Sequence, residues 1–286
     1  MKISLKKLLF IVLTVLSMIF IGACGKKSDT EKKEIIEKFI EVSKNIKSAD
    51  MVMNMKMEQK GDKDSKTAAI EMSMDASIIE EPLAIKLELG IPFQNTKLEM
   101  YIKDGYIYIL NPANNQWAKQ LINDEINKQF KGLLSNSYEL YDVMKDNIDK
   151  IDIEEKDGNY IISISKDSEF LKEAILKQLS NMNTAGNQIG DNVNIDNITV
   201  TYIVDKNTYS MISSNNTFDM NLINNVKVAV TIDAKYSNLN NVKEIAIPEE
   251  ALKAQEIIGG NTVSTPEASN SSENVETQKD TEKTKN

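Results

Sequence analysis

The stretch MVMNMKME, residues 51–58, decides how the surrounding sequence is interpreted. Four methionines, Met51, Met53, Met55 and Met57, alternate with other residues. Because successive side chains of a β-strand point to opposite faces, a strand places all four on one face. Methionine is flexible and polarizable, and it fills irregular apolar space. The stretch therefore predicts a strand whose apolar face is either ordinary core or the wall of a site for an apolar ligand.

The same alternation recurs along the chain and predicts a sheet of antiparallel strands. One buried face and one wet face per strand is typical of such sheets. Asp104-Gly105 and Asp157-Gly158 favour type I′ hairpin turns. The alternating apolar stripes begin at Ile70, Ile85, Leu98, Ile198, Phe218 and Val226, and Trp117 belongs to a short further strand.

Segments with a helical period lie between these strands. Ser28 and Glu31 fit a capping box at the start of an amphipathic helix. Ile35, Ile36, Phe39, Ile40 and Ile46 form its apolar face. The predicted helices are Thr30–Lys47, two between Ile122 and Asn147, and one from Ser168 to about Met182. About eleven strands and four helices without an internal linker predict one α+β domain, with a sheet packed on helices.

Composition excludes several classes of function. The chain of 286 residues has a net charge of −9, one cysteine and no histidine, and all of its basic residues are lysines. Intrachain disulfides, Cys/His metal sites, Ser-His-Asp triads and arginine clamps are therefore impossible. An acidic chain without arginine is a poor ligand for nucleic acid. We expect no nucleic-acid partner, cofactor, metal site or catalytic residue.

The N-terminus has the pattern of a secretory signal. Lys2, Lys6 and Lys7 precede an apolar run from Leu8 to Ile21, which is shorter than the roughly 20 residues of a membrane-spanning helix. The run ends in Ile-Gly-Ala-Cys at Cys24, which resembles the bacterial lipobox. That resemblance implies cleavage before Cys24 and a diacylglyceryl group on its sulfur, whereas the alternative is a plain signal with a chance cysteine.

These features predict the organisation of the whole chain. Residues 1–23 are a lipoprotein signal peptide, 24–29 a lipidated tether, 30–252 a single domain, and 253–286 a disordered polar tail. The expected location is the outer face of the bacterial cytoplasmic membrane, with the membrane contacted through diacylglyceryl-Cys24. Two acyl chains anchor a protein stably, whereas one does so marginally.

The order of several segments resembles an uncharacterised family of Gram-positive lipoproteins over roughly Thr30 to Glu250. The resemblance rests on ACGKK, EIIEKFIEVSKNIKS, DMVMNMKME, EEPLAIKLEL, MYIKDGYIYILNPANNQWAK, VTYIVDKNTY and KYSNLNNVKEIAIPEE. The family looks similar to half-barrel lipoprotein carriers and lipid-binding lipoproteins. This implies a curved antiparallel sheet of about eleven strands around helices, with space between them for acyl chains. It implies no catalytic residues.

Seven methionines are the candidate wall of such a space. They are Met51, Met53, Met55, Met57, Met72, Met74 and Met100. Promiscuous apolar sites use methionine freely, whereas a rigid core uses it sparingly. Ordinary core remains the alternative, and both can hold in one molecule.

Other candidates have simpler interpretations. Tyr101, Tyr106, Tyr108 and Trp117 are a candidate rim of the cavity, or else cross-strand pairs that support a hairpin. Adjacent strand residues point to opposite faces, so the pairs Glu80-Glu81 and Glu154-Glu155 do not converge as an acid/base dyad. The stretch DIEEKDG lacks the ligand spacing of an EF-hand.

The sequence thus predicts a membrane-anchored, non-catalytic lipoprotein that binds a lipid or an acylated molecule between sheet and helices. The alternative is a structural lipoprotein with a packed core that recognises an unknown protein partner. A lipid or glycan hydrolase is disfavoured by the missing histidine, arginine and free cysteine.

Overall fold

The computed structural model describes residues 27–60, 69–91, 96–123, 130, 143–164, 169–181, 194–221 and 226–257. All except Ile257 belong to a compact unit that spans Met1–Glu256, and a second unit spans Ile257–Asn286. The predicted signal peptide, Cys24, Ser168 and the tail from residue 258 lie outside the described residues. Most of the segment predicted as two helices between Ile122 and Asn147 does as well.

Twelve strands of the described chain form one curved, unclosed sheet. The strands are β1 Ser48–Lys60, β2 Ala69–Ile79, β3 Ala84–Ile91, β4 Thr96–Lys103, β5 Tyr106–Asn111, β6 Gln116–Leu121, β7 Ile151–Lys156, β8 Asn159–Ile164, β9 Asn194–Asp205, β10 Met211–Asn221, β11 Lys227–Ser237 and β12 Gln255–Glu256. Their order across the sheet is β12-β6-β5-β4-β3-β2-β1-β11-β10-β9-β8-β7.

The predicted α+β class with an antiparallel sheet is confirmed. Every neighbouring pair of strands is antiparallel except β12, which runs parallel to β6. β12 has only two residues, too few to show the alternation of apolar and polar side chains, so the sequence did not predict this strand. In the middle of the sheet β1 pairs with β11 over the register Asp50↔Ser237 to Lys60↔Lys227. The first and the last long strands of the domain are therefore neighbours.

Both predicted hairpin turns form. Asp104 and Gly105 have φ values of 53° and 79°, and Asp157 and Gly158 have values of 52° and 77°. Positive φ at both central residues defines the type I′ turn, whose twist matches that of the flanking strands. These turns fix the registers of β4 with β5 and of β7 with β8.

The first helix, α1, spans Asp29–Lys44. Its capping box is present, because the Glu31 N–H donates to Ser28 Oγ at 3.3 Å and the Ser28 N–H donates to Glu31 Oε2 at 2.9 Å. The helix ends three residues before the predicted Lys47, where the chain turns into β1. The predicted apolar positions Ile36 and Phe39 are fully buried.

α1 defines the two faces and the two ends of the sheet. It packs on one face, which we call the inner face, over a large cluster that reaches from β7 to β11. Its start contacts the turn between β7 and β8, through Lys27 and Glu155, and its C-terminal side reaches the start of β1, where Lys47 bonds to Asn240. Both contacts lie at one end of the strands, which we call the α1 end.

The remaining helical segments are short. α2 spans Glu169–Asn181 and α3 spans Glu249–Leu252. Residues 143–146 are also helical, and a 3-10 turn follows at Ile148–Lys150. α3 ends at Leu252, the predicted end of the domain, and β12 lies just beyond it.

Candidate functional site

The methionines of β1 and β2 lie side by side on the inner face. Met53 is opposite Met74 of β2 and Ala234 of β11. Met55 is opposite Met72 of β2 and also packs against the cluster under α1. Because directly opposed residues of neighbouring strands share a face, these side chains form one continuous apolar surface.

Burial of this surface falls from the α1 end toward the opposite end. On β2, Ile78 and Ala76 are 6% and 7% exposed, Met74 and Met72 are half-buried, and Ile70 is 40% exposed. The same trend holds on β3 and β4. In contrast, the inner face of β8 and β9 is buried along most of its length. Among the described residues, the inner face of β2, β3 and β4 is therefore less buried away from the α1 end.

The seven candidate methionines separate into two groups. Four pack against buried clusters of the inner face, namely Met51, Met55, Met57 and Met100. Three belong to none of the buried clusters that the described residues form, namely Met53, Met72 and Met74. We call these three the methionine patch. The four packed methionines fit the interpretation as ordinary core. The three residues of the methionine patch remain candidates for the wall of a ligand site.

The patch is suited to contact rather than to reaction. Its lateral neighbours Leu89 and Leu98 are apolar and half-buried. Thioether and isobutyl groups offer dispersion contacts and no titratable group. Long unbranched methionine side chains can adjust to apolar partners of varied shape. The chemistry available here is the binding of an apolar group.

One polar residue on the inner face was missed by sequence reasoning. Asn216 of β10 lies on the same row across the sheet as Met55 of β1 and Met72 of β2. Ile232 of β11 stands between Asn216 and Met55 on this row. Asn216 is half-buried, so its amide can donate and accept hydrogen bonds in an otherwise apolar row. The alternation that predicts Phe218 and Met220 on the inner face also places Asn216 there. The predicted apolar stripe began at Phe218, so Asn216 was left out.

The opposite face of these strands is polar and holds two open depressions. One of about 290 Å³ is lined by Lys56, Glu71 and Asp233 together with uncharged residues, and Met55 and Met72 contribute to its floor. The other, of about 190 Å³, includes Asp50, Asp75, Lys86 and Glu88 in its lining. Each lining therefore carries several charged side chains, which an apolar ligand would have to desolvate.

The four candidate rim residues lie on this second face of the sheet. Tyr101 is opposite Tyr108, and its ring centroid lies 5.8 Å from that of Trp117. The Tyr106 and Tyr108 rings are 6.2 Å apart. The C-terminal segment 242–252 covers all four. They therefore do not border the methionine patch, and cross-strand pairing describes their positions.

A hydrogen bond from Tyr101 fixes this aromatic cluster. Tyr101 is 5% exposed, and its hydroxyl donates to Glu99 Oε1 at 2.7 Å. Burial, followed by the bond to Glu99, raises the pKa of Tyr101 above its ordinary value. The phenol thus stays neutral and acts as a donor.

One member of each acidic pair forms an ion pair with lysine. Glu80 lies 3.1 Å from Lys47, and Glu155 pairs with both Lys27 and Lys206. Within the described residues, no three His, Cys, Asp or Glu side chains are grouped as metal ligands. None of the helices that the structure describes combines the length and hydropathy needed to cross a membrane.

Comparison with known proteins gives the family of the chain. A model described as "Family of unknown function (DUF6612)" matches residues 31–256. The chain belongs to this family. The sequence-based assignment to a family without an assigned activity is thereby confirmed. No curated protein shows significant similarity to the chain.

Several solved structures are similar to this member of the DUF6612 family. Lipoprotein LppX from Mycobacterium tuberculosis is 14% identical over 77% of this chain and 100% of its own, with a TM-score of 0.40. LprF from Mycobacterium bovis is 12% identical over 79% of this chain and 100% of its own, with a TM-score of 0.45. A LolA superfamily protein from Nitrosomonas europaea is 10% identical over 76% and 94%, with a TM-score of 0.23. At these identities and TM-scores, the comparisons identify no ligand for this chain.

Proposed function

We propose that the protein is an extracytoplasmic lipoprotein, anchored through diacylglyceryl-Cys24, that binds a lipid or an acylated molecule against the methionine patch. It holds or delivers this ligand without chemical conversion. The observation that carries the proposal is that Met53, Met72 and Met74 are only half-buried and pack against none of the buried clusters that the described residues form.

The free energy of hydration favours a ligand at this position. Each fully buried methionine side chain contributes roughly 1.5–3 kcal/mol relative to the exposed state. Half-buried methionines keep part of their apolar area in contact with water in the free protein. An acyl chain bound over them would remove that remaining area from water. Leu89 and Leu98 extend the same surface by two strands.

The side chains near the patch support binding rather than catalysis. The nearest polar side chains on its rows are the amide of Asn216 and the buried hydroxyl of Ser214, and the chain has no histidine that could activate that hydroxyl. Glu80 and Glu155, members of the two acidic pairs, are held in ion pairs with lysines away from the patch. The non-catalytic proposal rests on this distribution.

Native mass spectrometry tests the proposal. The mature chain with Cys24→Ser is purified without its lipid and titrated with oleic acid as the acyl probe. We expect a bound mass for this protein and about tenfold weaker binding for Met53→Gln and Met72→Gln. An amide without a partner costs roughly 1–3 kcal/mol in an apolar contact.

Val52→Gln is the matched control. Val52 is next to Met53 on the same strand, but it lies on the polar face and is 47% exposed. The control should bind oleic acid like the parent. Equal binding by the parent, the control and both methionine variants contradicts the proposed site. Absence of bound oleic acid and of any co-purifying lipid favours the alternative of a packed core.

The alternative, recognition of a protein partner, has a structural candidate in the edge strand β7. Its outward positions Asp152 and Glu154 are exposed, and Glu155 and Lys156 follow them. Charges on an edge strand oppose pairing with a strand of another chain. This edge therefore supports partner binding less well than the patch supports an apolar ligand.

A further inference from the structure

Lys27 holds the start of the described chain against the sheet. Its ammonium lies 5.5 Å from the ring centroid of Tyr160 and 3.7 Å from a carboxylate oxygen of Glu155. Only 19% of its side chain is exposed. Ser28 caps α1 directly after it. The main chain at Lys27 is thus fixed beside the turn between β7 and β8.

Further contacts join this turn to the neighbouring turn between β9 and β10. The rings of Tyr160 and Tyr209 are 5.9 Å apart. Lys38 of α1 lies 5.1 Å from the Tyr209 ring, and Lys206 pairs with Glu155. We call this group the anchor corner, and its members are Lys27, Lys38, Glu155, Tyr160, Lys206 and Tyr209.

The corner lies close to Cys24 along the chain. Three residue steps separate Cys24 from Lys27, and an extended chain covers at most about 11 Å in three steps. A lipid on Cys24 would therefore enter the bilayer within about one helix diameter of the corner. A tether this short leaves the body little freedom to turn over.

We propose that the anchor corner is the surface that rests on the phospholipid headgroups. This inference depends on the proposed attachment of lipid to Cys24. Lysine ammonium groups and the hydroxyl of the half-buried Tyr209 can donate to headgroup phosphates and carbonyls, and tyrosine is enriched at membrane interfaces. Tyr160 is 7% exposed and supports the corner from the core side. Three lysines of the corner face one carboxylate within it, but Asp157 and Asp205 lie at the same two turns. The contact with headgroups therefore rests on the short tether and on hydrogen bonding rather than on net charge.

The orientation places the methionine patch away from the membrane. The corner lies at the α1 end of the strands, because Asp205 is opposite Asn159 and the turns follow directly. On β2 that end is Ile79, and Met72 lies seven residues farther along, or about 23 Å at the rise of a strand. The less buried part of the inner face thus points toward the medium. The protein then exchanges its ligand with a partner above the membrane rather than with the bilayer beneath it.

Lysine reactivity tests this orientation on the full mature chain. Cys24 is the sole cysteine, so it couples specifically to a maleimide phospholipid in vesicles of phosphatidylcholine and phosphatidylglycerol. A water-soluble acetylating reagent then modifies the lysines, and peptide mass spectrometry gives the rate at each one. We expect coupling to slow acetylation of Lys206 at least threefold.

Lys60 is the matched control at the opposite end of the strands. Lys206 is 40% exposed and paired with Glu155, and Lys60 is 50% exposed and paired with Asp219. Lys60 should react at the same rate before and after coupling. Equal protection of both lysines, no protection of Lys206, or stronger protection of Lys60 overturns the proposal.

Two further measurements isolate the cause. A flexible insertion of twelve Gly and Ser residues before Lys27 should abolish the protection of Lys206, and protection that survives it contradicts an orientation set by the short tether. Chemical coupling supplies the lipid, so this result does not depend on cellular processing. The mass of the N-terminal peptide from a Gram-positive host reports separately whether Cys24 is lipidated.

Discussion

At the turn between β7 and β8, Asp157 and Gly158 adopt φ values of 52° and 77°. The left-handed region is open to glycine and costs other residues roughly 1–2 kcal/mol, with aspartate and asparagine the better tolerated exceptions. One glycine therefore determines whether this hairpin, which carries part of the anchor corner, can close in its register.

Replacing Gly158 by alanine should lower the free energy of unfolding by about 1 kcal/mol. The added Cβ meets no atom within 4 Å, so the loss reflects backbone strain rather than a clash. Urea denaturation measures it. Asn207→Ala in the neighbouring exposed turn is the control, with an expected change below about 0.5 kcal/mol. Similar losses in both variants would contradict the assignment to backbone strain.

Glu88 of β3 is a carboxylate whose two lysine partners make the stability of the fold sensitive to pH. It lies 2.8 Å from Lys86 and also pairs with Lys97. Hydrogen bonds from Lys86 and then from Lys97 lower the pKa of Glu88, and its partial burial opposes them. The folded protein thus holds this carboxylate in its charged form more strongly than the unfolded chain does.

The sign of the pH effect follows from that lowered pKa. The charged Glu88 contributes its full stabilisation of the fold above the ordinary glutamate pKa of about 4.3. This contribution is lost as the pH falls through the lower pKa that Glu88 has in the folded protein. Glu88→Gln should reduce stability at pH 7 by about 0.5–1 kcal/mol, since such exposed pairs are weak. The difference from the parent should shrink below about pH 4.3. Thermal unfolding at several pH values measures it, and a constant difference contradicts it.

Among the elements, the C-terminal segment 242–252 has an unexpected role. It crosses the second face of the sheet and buries Ile245 to 4% and Ala251 to 0% exposure against Tyr101 and Tyr108. Lys103 Nζ donates to the Ile245 carbonyl at 2.9 Å. On this face, the part of the sheet around β4, β5 and β6 is thus covered by a strap without long secondary structure.

Ile245→Ala should destabilise the domain by about 2–4 kcal/mol, because it leaves a cavity over the aromatic cluster. Trp117, the single tryptophan, packs in this cluster. Its emission should shift to longer wavelength, and acrylamide should quench it more strongly. Ile212→Ala on β10, where the side chain is 39% exposed, is the control. Unchanged tryptophan spectra in Ile245→Ala would contradict the packing of this strap.

Local periodicity explains why the strands, α1 and both hairpin turns could be predicted from the sequence. The order of the strands across the sheet could not be predicted from the sequence, because the pairing of β1 with β11 depends on contacts between residues that are distant in the chain. The methionine face followed from alternation alone. Which methionines are packed depends on what covers each part of the sheet, and alternation carries no information on that. Asn216 was missed because a polar residue interrupts an apolar stripe.

At the scale of the whole molecule, the twelve strands that the structure describes lie before residue 257. The residues after it are polar and rich in Ser, Thr, Asn, Glu and Lys, a composition that cannot form a core. A chain that ends at Ile257 should therefore unfold at the same denaturant midpoint as the full chain and bind the same ligand. A chain that ends at Asn241, which also loses the strap, should be much less stable. A lower midpoint for the Ile257 chain would contradict this division.

The central ladder of the sheet also has a consequence for biogenesis. Asp50 accepts a hydrogen bond from Asn238 across 188 positions, and the Lys47 N–H bonds to Asn240 across 193. A chain that emerges N-terminus first can form the meander from β1 to β6 early, but one side of β1 must wait for β11. Closing so long a loop is entropically costly and slow. Until then the nascent protein exposes a methionine-rich strand edge, the kind of surface that aggregates unless a chaperone shields it.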